Sequence, residues 1–432
     1  MNNGKAIVAL VGGFALGGVI VGVGLPMLQG SGSGASSAAR WRGESADCGP
    51  GMSRAELDEA LRLGSGFMLA NQRPAGNFAY EWDWKTQQDS VGDNEVRQAG
   101  ATWGLALMLH DDPTRTDVRD ALLRSLDFWK TQAVTDPAPA ADDGSTASPE
   151  EPAPTTTTPR RRWVRYQGAQ KGSTGAVALL TLAHIELLRS GAELPAGRQA
   201  EVETHLDQLL AMLRSQRSAE GGFHSYYRPD GAGYGRANPY ADGESLLALV
   251  KAANHLGRAD LLPDAVRWAK EDQIRNVRDP RAADPDPDTT KGYYQWVSMA
   301  WWELAHSAEA EAAPWGEWLM ELAVWMIDDH HTLKRRRNTS YAYEGIVPAY
   351  AWAKAQRDPR ADKFRCVIDQ GLLKITSWQL GHSLANDFVK EASPDDKRGW
   401  GGIQNAANEA PLRIDVTQHQ MHAIILARRY YR

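Results

Sequence analysis

Six stretches of this chain are small or apolar on nearly every helical face: 97–109 (RQAGATWGLALML), 173–188 (STGAVALLTLAHIELL), 243–256 (GESLLALVKAANHL), 297–308 (VSMAWWELAHSA), 341–355 (YAYEGIVPAYAWAKA) and 418–430 (QHQMHAIILARRY). A helix apolar all round leaves no face for water, so each should be buried on all sides. Between them, 54–70, 117–131, 200–215, 262–274, 315–329 and about 361–377 pair an apolar stripe with a polar face. No run alternates at period two beyond a few residues, so no β-strand is expected. Six buried helices alternating with six half-buried ones predict an all-α ring of about six helical hairpins. The buried set lines the inside, and the inner helices all start at one end.

The loops that feed the inner helices look related. NQRPAGNFAYEWDW (71–84) and RSQRSAEGGFHSYY (214–227) both run from Gln through a short polar link to Gly and an aromatic, and KRGWGGIQN (397–405) keeps the Trp-Gly-Gly part. Repeats at such spacing mark one supersecondary unit used several times. Gln72-x₃-Gly76-x-Phe78 resembles the Gln-Trp repeat of terpenoid cyclases and prenyltransferases, with Phe in place of Trp. The Gln216 to Phe223 copy departs from it by one residue. The resemblance implies an α/α toroid over residues 54–432, the fold also of six-hairpin glycosidases, uronyl epimerases and uronate lyases. It implies a ligand cleft at the mouth where the inner helices begin. ANPYADGESLLALVKAANHLGRADLL (237–262) is similar in pattern to an inner helix of uronyl epimerases, which use Tyr with Glu at comparable places.

Two segments stand outside this pattern. Ala6 to Leu28 form an uncharged run of 23 residues, long enough to cross a bilayer core of about 30 Å. Lys5 precedes the run and the next basic residues are Arg40 and Arg42, which favours residues 1–5 in the cytoplasm. The expectation is a transmembrane anchor at 6–28, a flexible tether at 29–53 and a main domain on the extracytoplasmic side of the cell membrane. Residues 135–162 are rich in Pro, Thr and acids, cannot bury enough apolar surface to order themselves, and read as a disordered insert. The two cysteines, Cys48 and Cys366, allow one disulfide in an oxidising compartment.

The candidate chemistry sits at the inner-helix starts, where unpaired N–H groups also favour anions. The first start offers Asp93, as an N-cap or a catalytic acid, and Arg97 one turn on. The third places Tyr240 and Glu244 before a wholly apolar helix, Glu244 reading as a dipole-compensating residue or as an acid/base aimed into the cavity. The fifth supplies Tyr341 and Glu344. The sixth supplies Asp415 and His419, four apart and so on one helix face. Arg97 and Lys171 suit an acidic sugar, and Tyr80, Trp84 and Trp400 join a crowd of mouth-loop aromatics on which sugar rings can stack.

Exclusions narrow the function. A net charge of −6 and a pI near 6.0 argue against a nucleic-acid partner. There is no Gly-x₄-Gly-Lys-Ser/Thr loop, Gly-x-Ser-x-Gly elbow or strand-borne dinucleotide fingerprint, so no cofactor is expected. His330-His331 and His419-x₂-His422 lack the His-Glu-x-x-His arrangement, so no metal is expected either. DPDPDTT (284–290) looks like the acidic motif that protonates an alkene in one class of terpenoid cyclases, but its Pro-rich, charged setting reads as a solvent loop. The leading expectation is an anchored, exported toroid acting on carbohydrate as a glycoside hydrolase or uronyl epimerase, with a glycan or other small molecule in its central cleft. A lipid-handling toroid and a non-catalytic envelope scaffold are the alternatives. The oligomeric state is left open.

Overall fold

The computed structural model describes residues 48–137, 160–308, 310 and 313–432. The run 6–28, residues 29–47 of the tether and the centre of the insert lie outside these residues. Among the described residues no helix is long and apolar enough to cross a membrane.

Twelve long helices carry the fold. The inner set is α2 (Glu95–Asp111), α4 (Thr174–Ser190), α6 (Pro239–His255), α9 (Asp288–Ala305), α11 (Ser340–Gln356) and α13 (Ile414–Tyr430). The outer set is α1 (Arg54–Ala70), α3 (Thr116–Thr131), α5 (Arg198–Ser215), α7 (Leu262–Gln273), α10 (Trp315–Asp328) and α12 (Arg360–Thr376), and a short α8 (Asp279–Ala283) precedes α9. Each inner helix packs on the next, and α13 packs back on α2, which closes the ring. Outer helices α3, α5, α7, α10 and α12 each cover the inner helix before or after them, and α1 covers α13, so both ends of the domain meet. The toroid expected from the alternating pattern is present, and Leu246 and Leu247 of α6 are fully buried.

Small residues set how closely inner helices approach. A Cβ at Gly104 of α2 would lie 2.6 Å from Gln418 Cγ of α13, and one at Gly243 of α6 would lie 2.5 Å from Trp296 Cβ of α9. Neither seam tolerates a larger side chain without the helices moving apart.

The expectation of no strand is corrected in the loops, which pair over two to five residues. β1 (Glu81–Asp83) sits between β2 (Gln88–Asp89) and β8 (Pro411–Arg413), and β6 (His224–Tyr227) sits between β5 (Gly172–Ser173) and β7 (Gly233–Ala237). β3 (Ala133–Thr135) and β4 (Arg162–Val164) form a hairpin, with Thr135 opposite Arg162, that closes the base of the insert. Strands this short show no readable alternation in sequence.

The repeated loops act as braces. Gln72 donates to Gly76 O (3.2 Å) and to Ala121 O (2.7 Å), and Phe78 N–H donates to Gln98 Oε1 of α2 (2.8 Å). In the second copy Phe223 N–H donates to Asp242 Oδ1 of α6 (2.6 Å). In the third, Gln379 donates to Ala60 O (2.9 Å) and Gly401 O (3.0 Å). Bonds between loop backbone and a side chain thereby fix the mouth loops, the side chain coming from the next helix in the first two copies and from the glutamine after the preceding helix in the first and third. Gly76 has φ +101°, and a Cβ there would meet Arg124 O at 2.2 Å, which is why the motif keeps glycine.

Candidate active site

All six inner helices begin at one end of the ring. The first turns of five of them, with Leu179 of the sixth, surround a cavity of about 370 Å³. Arg97, Tyr240, Glu244, Tyr341, Asp415 and His419, scattered over more than 300 positions of sequence, all line it. Going round the ring, α6 and α13 are separated by α9 and α11 on one side and by α4 and α2 on the other. Glu244 and His419 therefore project from opposite walls.

The two walls differ in charge. Glu244 is buried, and desolvation alone pushes its pKa up to about 8, so the carboxyl is protonated at neutral pH. Its room comes from α4: a Cβ on Gly175 would lie 2.4 Å from Glu244 Oε2. On the other wall His419 Nδ1 lies 3.2 Å from both oxygens of Glu344, which is fully buried behind it. Burial works against a charged His419, yet Glu344 and Asp415 outweigh it and raise the imidazole pKa. Burial likewise opposes ionised Glu344, but His419 and His422, whose Nδ1 is 2.8 Å away, keep its pKa below the usual value. The carboxylate fixes the Nδ1–H tautomer of His419 and leaves Nε2 for the cavity.

Asp415 is ionised for a third reason. Burial raises its pKa, but Arg413 Nε (2.9 Å) and Arg97 Nε (3.2 Å) outweigh that and lower it. Tyr80 lies beside both arginines, its hydroxyl bonded to Arg97 and its ring 5.7 Å from the Arg413 guanidinium. Its place is behind the wall, as is that of Glu344.

Other candidates from sequence lie away from the cavity. Asp93 accepts from Tyr166 Oη (2.5 Å) and Gln98 Nε2 (2.8 Å), and the N-cap of α2 is Asn94. Trp84 is buried edge-on against Phe388 at 5.5 Å. Lys171 sits over the Tyr226 ring at 4.5 Å. Trp400 packs on Gly381, where a Cβ would come within 2.3 Å of the indole. Of the mouth aromatics, Trp82, Tyr227, Tyr293 and Tyr294 are core rather than platform, while Tyr226 and Tyr240 are exposed and Trp296 lines the cavity.

Sequence reasoning missed Lys291 and Gln295 of α9, as well as Asn338 and Arg413, all of them lining residues. The fourth inner helix begins at Asp288, not near Val297, because DTTKGYYQW continues an acidic Pro-rich stretch and lacks a legible start. Buried Asn338 Nδ2, Trp296 Nε1 and Gln418 Nε2 have no hydrogen-bond partner among the described residues, an arrangement that costs about 1–3 kcal/mol per donor unless a ligand supplies the acceptor. Lys291 has no carboxylate partner among the described residues. Among those residues no group of three His, Cys, Asp or Glu is arranged to hold a metal.

This closed ring of six helical hairpins is an α/α toroid. No protein-family profile and no curated protein matches the sequence. Similar solved structures include a sugar epimerase from a ruminal bacterium (TM-score 0.56, 9% identity, 87% of this chain and 98% of that one). A D-mannose isomerase aligns with TM-score 0.53 at 14% identity, over 87% and 97% of the two chains. An inactive α-1,6-mannanase variant of a Salegentibacter species, in complex with α-1,6-mannotetrose, aligns with TM-score 0.53 at 10% identity over 88% and 100%.

Proposed function

We propose that this chain is a carbohydrate-active enzyme that transfers protons on an acidic sugar, in the manner of a uronyl epimerase. The observation that carries the reading is the opposition, across one cavity, of a protonated carboxyl (Glu244) and a carboxylate-backed imidazole (His419). A carboxyl that burial keeps protonated can give a proton, and an imidazole held in one orientation by a buried carboxylate can take one. Removing a proton from one face of a carbon and returning one to the other needs such a pair. Arg97, Lys291 and Arg413 face a single ionised lining carboxylate, Asp415, so the lining favours a sugar that bears a carboxylate. The unpartnered donors of Asn338, Trp296 and Gln418 suit hydroxyl and carboxylate oxygens. The names of the similar structures, a sugar epimerase and a D-mannose isomerase, support the substrate class.

Glycoside hydrolysis is the second reading, because Glu244 and Asp415 both line the cavity. It is weaker, since two guanidiniums engage Asp415 and reduce it as nucleophile or base. A charged lining suits an isoprenoid poorly, and an open cavity suits a scaffold poorly. We further propose that residues 6–28 anchor the protein and that its toroid faces an oxidising, extracytoplasmic compartment. The Cys48–Cys366 disulfide, with Cα atoms 5.0 Å apart, supports that side of the membrane. Protease accessibility in intact cells tests it.

The catalytic reading is tested by incubating the protein with polyuronates and neutral glycans in D₂O. Deuterium should enter next to the carboxylate of a uronate, and Glu244→Gln should reduce that rate at least ~10²-fold with the fold intact. Chain cleavage without exchange would select hydrolysis. Neither outcome on any glycan would reject both readings.

A further inference from the structure

The DPDPDTT stretch (284–290) and the His330-His331 pair stand outside the acid–base pair of Glu244 and His419. Both lie beside the cavity. His330, in the loop after α10, is buried with its ring 5.3 Å from that of Trp325. Its Nδ1 is 2.6 Å from Asp286 Oδ1, and its Nε2 is 3.1 Å from the hydroxyl of Tyr341, which lines the cavity. Asp286 is the second aspartate of DPDPDTT, and its side chain remains 36% exposed. A lining phenol, a buried imidazole and a carboxylate that reaches solvent therefore stand in one hydrogen-bonded line.

The tautomer follows from the contacts. A bare nitrogen 2.6 Å from a carboxylate would set two lone pairs against each other, so Nδ1 carries hydrogen and donates to Asp286. Arg335 Nη2 is 3.0 Å from Nδ1, but its acceptor is Asp286 Oδ2 at 2.8 Å. Nε2 is then the acceptor of the Tyr341 O–H. Burial first, and Arg335 and Lys291 next, outweigh the pull of Asp286 and lower the His330 pKa, which keeps the ring neutral and able to accept. The geometry is held from three sides. Arg335 Nε donates to His330 O (2.8 Å), Trp325 Nε1 donates to Pro285 O (2.7 Å), and Lys374 Nζ donates to the carbonyls of Thr332 and Leu333 (3.1 and 3.0 Å).

We infer that Asp286, His330 and Tyr341 form a proton relay that makes the Tyr341 hydroxyl a second acid–base group of the cavity. The inference rests on the proton-transfer reading above. In the forward step Tyr341 takes the base role that the reading above gives to His419: the substrate C–H bond breaks, its proton goes to Tyr341 Oη, and the phenol proton passes to His330 Nε2. The electron pair stays on the substrate carbon, delocalised into its carboxyl group. Glu244 returns a proton to that carbon, so the product is an isomer and no oxidant is consumed. The imidazolium formed on His330 is stabilised by Asp286, which hands the surplus proton to water while Glu244 regains one. No free tyrosinate is needed, which suits a phenol whose pKa is raised by burial.

Two experiments on the full-length protein separate this relay from the reading beneath it. Proton NMR should show a strongly downfield imidazole N–H that is lost in Asp286→Asn. Its absence in the wild type, or its persistence in the variant, overturns the relay whatever the substrate. With polygalacturonate and alginate as probes in D₂O, Tyr341→Phe should lower kcat for exchange ~10²-fold and Asp286→Asn ~10-fold, with KM changed less than about threefold. Full exchange by Tyr341→Phe overturns the relay and leaves the enzyme reading standing. An inert wild type overturns the enzyme reading, and the NMR result then decides the relay by itself.

Discussion

Glu244 makes a stability prediction that needs no substrate. Its carboxyl has an ordinary pKa of 4.5 and is pushed up to about 8 by burial in the folded protein. The folded state thus keeps a proton that the unfolded chain releases, so stability falls as pH rises from 4.5 and levels off above 8. An interval of about 3.5 pH units, at 1.36 kcal/mol each, sets the loss at no more than about 5 kcal/mol. Glu244→Gln keeps the shape and cannot ionise, so that share of the pH dependence should vanish. The variant should match the wild type at pH 4.5 and exceed it by several kcal/mol at pH 8.5. Urea unfolding followed by circular dichroism at half-unit steps would measure the difference. Parallel profiles within about 0.5 kcal/mol would refute the argument, because they would mean that Glu244 is hydrated or paired and cannot be the protonated acid.

Gly175→Ala should act through the same carboxyl: the new Cβ would fall 2.4 Å from Glu244 Oε2, costing about 1–3 kcal/mol by denaturation and displacing the acid. Reducing the Cys48–Cys366 disulfide, which spans 318 positions and ties the start of the domain to α12, should lower stability by about 2–5 kcal/mol, seen as a drop in Tm with reductant. Cys366→Ser should show the same drop and no further response to reductant.

How much of this was legible in the sequence is clearest residue by residue. The six inner segments were readable because a helix buried on all sides must be apolar or small on all sides, and α2, α4, α6, α11 and α13 lie close to where that rule puts them. The opening of α9 was not, because Asp288, Thr289, Thr290 and Lys291 look solvated until the ring turns that end toward a polar cavity. Glu244, Asp415 and His419 were legible as polar residues at the starts of apolar helices. Asp93 satisfied the same criterion and yet faces a tyrosine hydroxyl, and Trp84, chosen as a mouth-loop aromatic, packs on a phenylalanine.

Local pattern thus determined the all-helical alternation, the ring and the end of it that carries chemistry, because periodicity and burial are properties of a short stretch of chain. Tertiary structure alone decided which side chains meet. Glu344 lies 75 positions from His419, and Asp286 lies 44 from His330; both pairs exist only because ring closure sets α11 beside α13 and folds the α10–α11 loop over the start of α9. Protonation was decided there too: Glu244 holds its proton and Asp415 releases one because one faces Gly175 without a charged partner and the other faces two guanidiniums. Desolvation and Coulomb energy depend on what surrounds a group in space, and the order of residues along the chain does not contain that information.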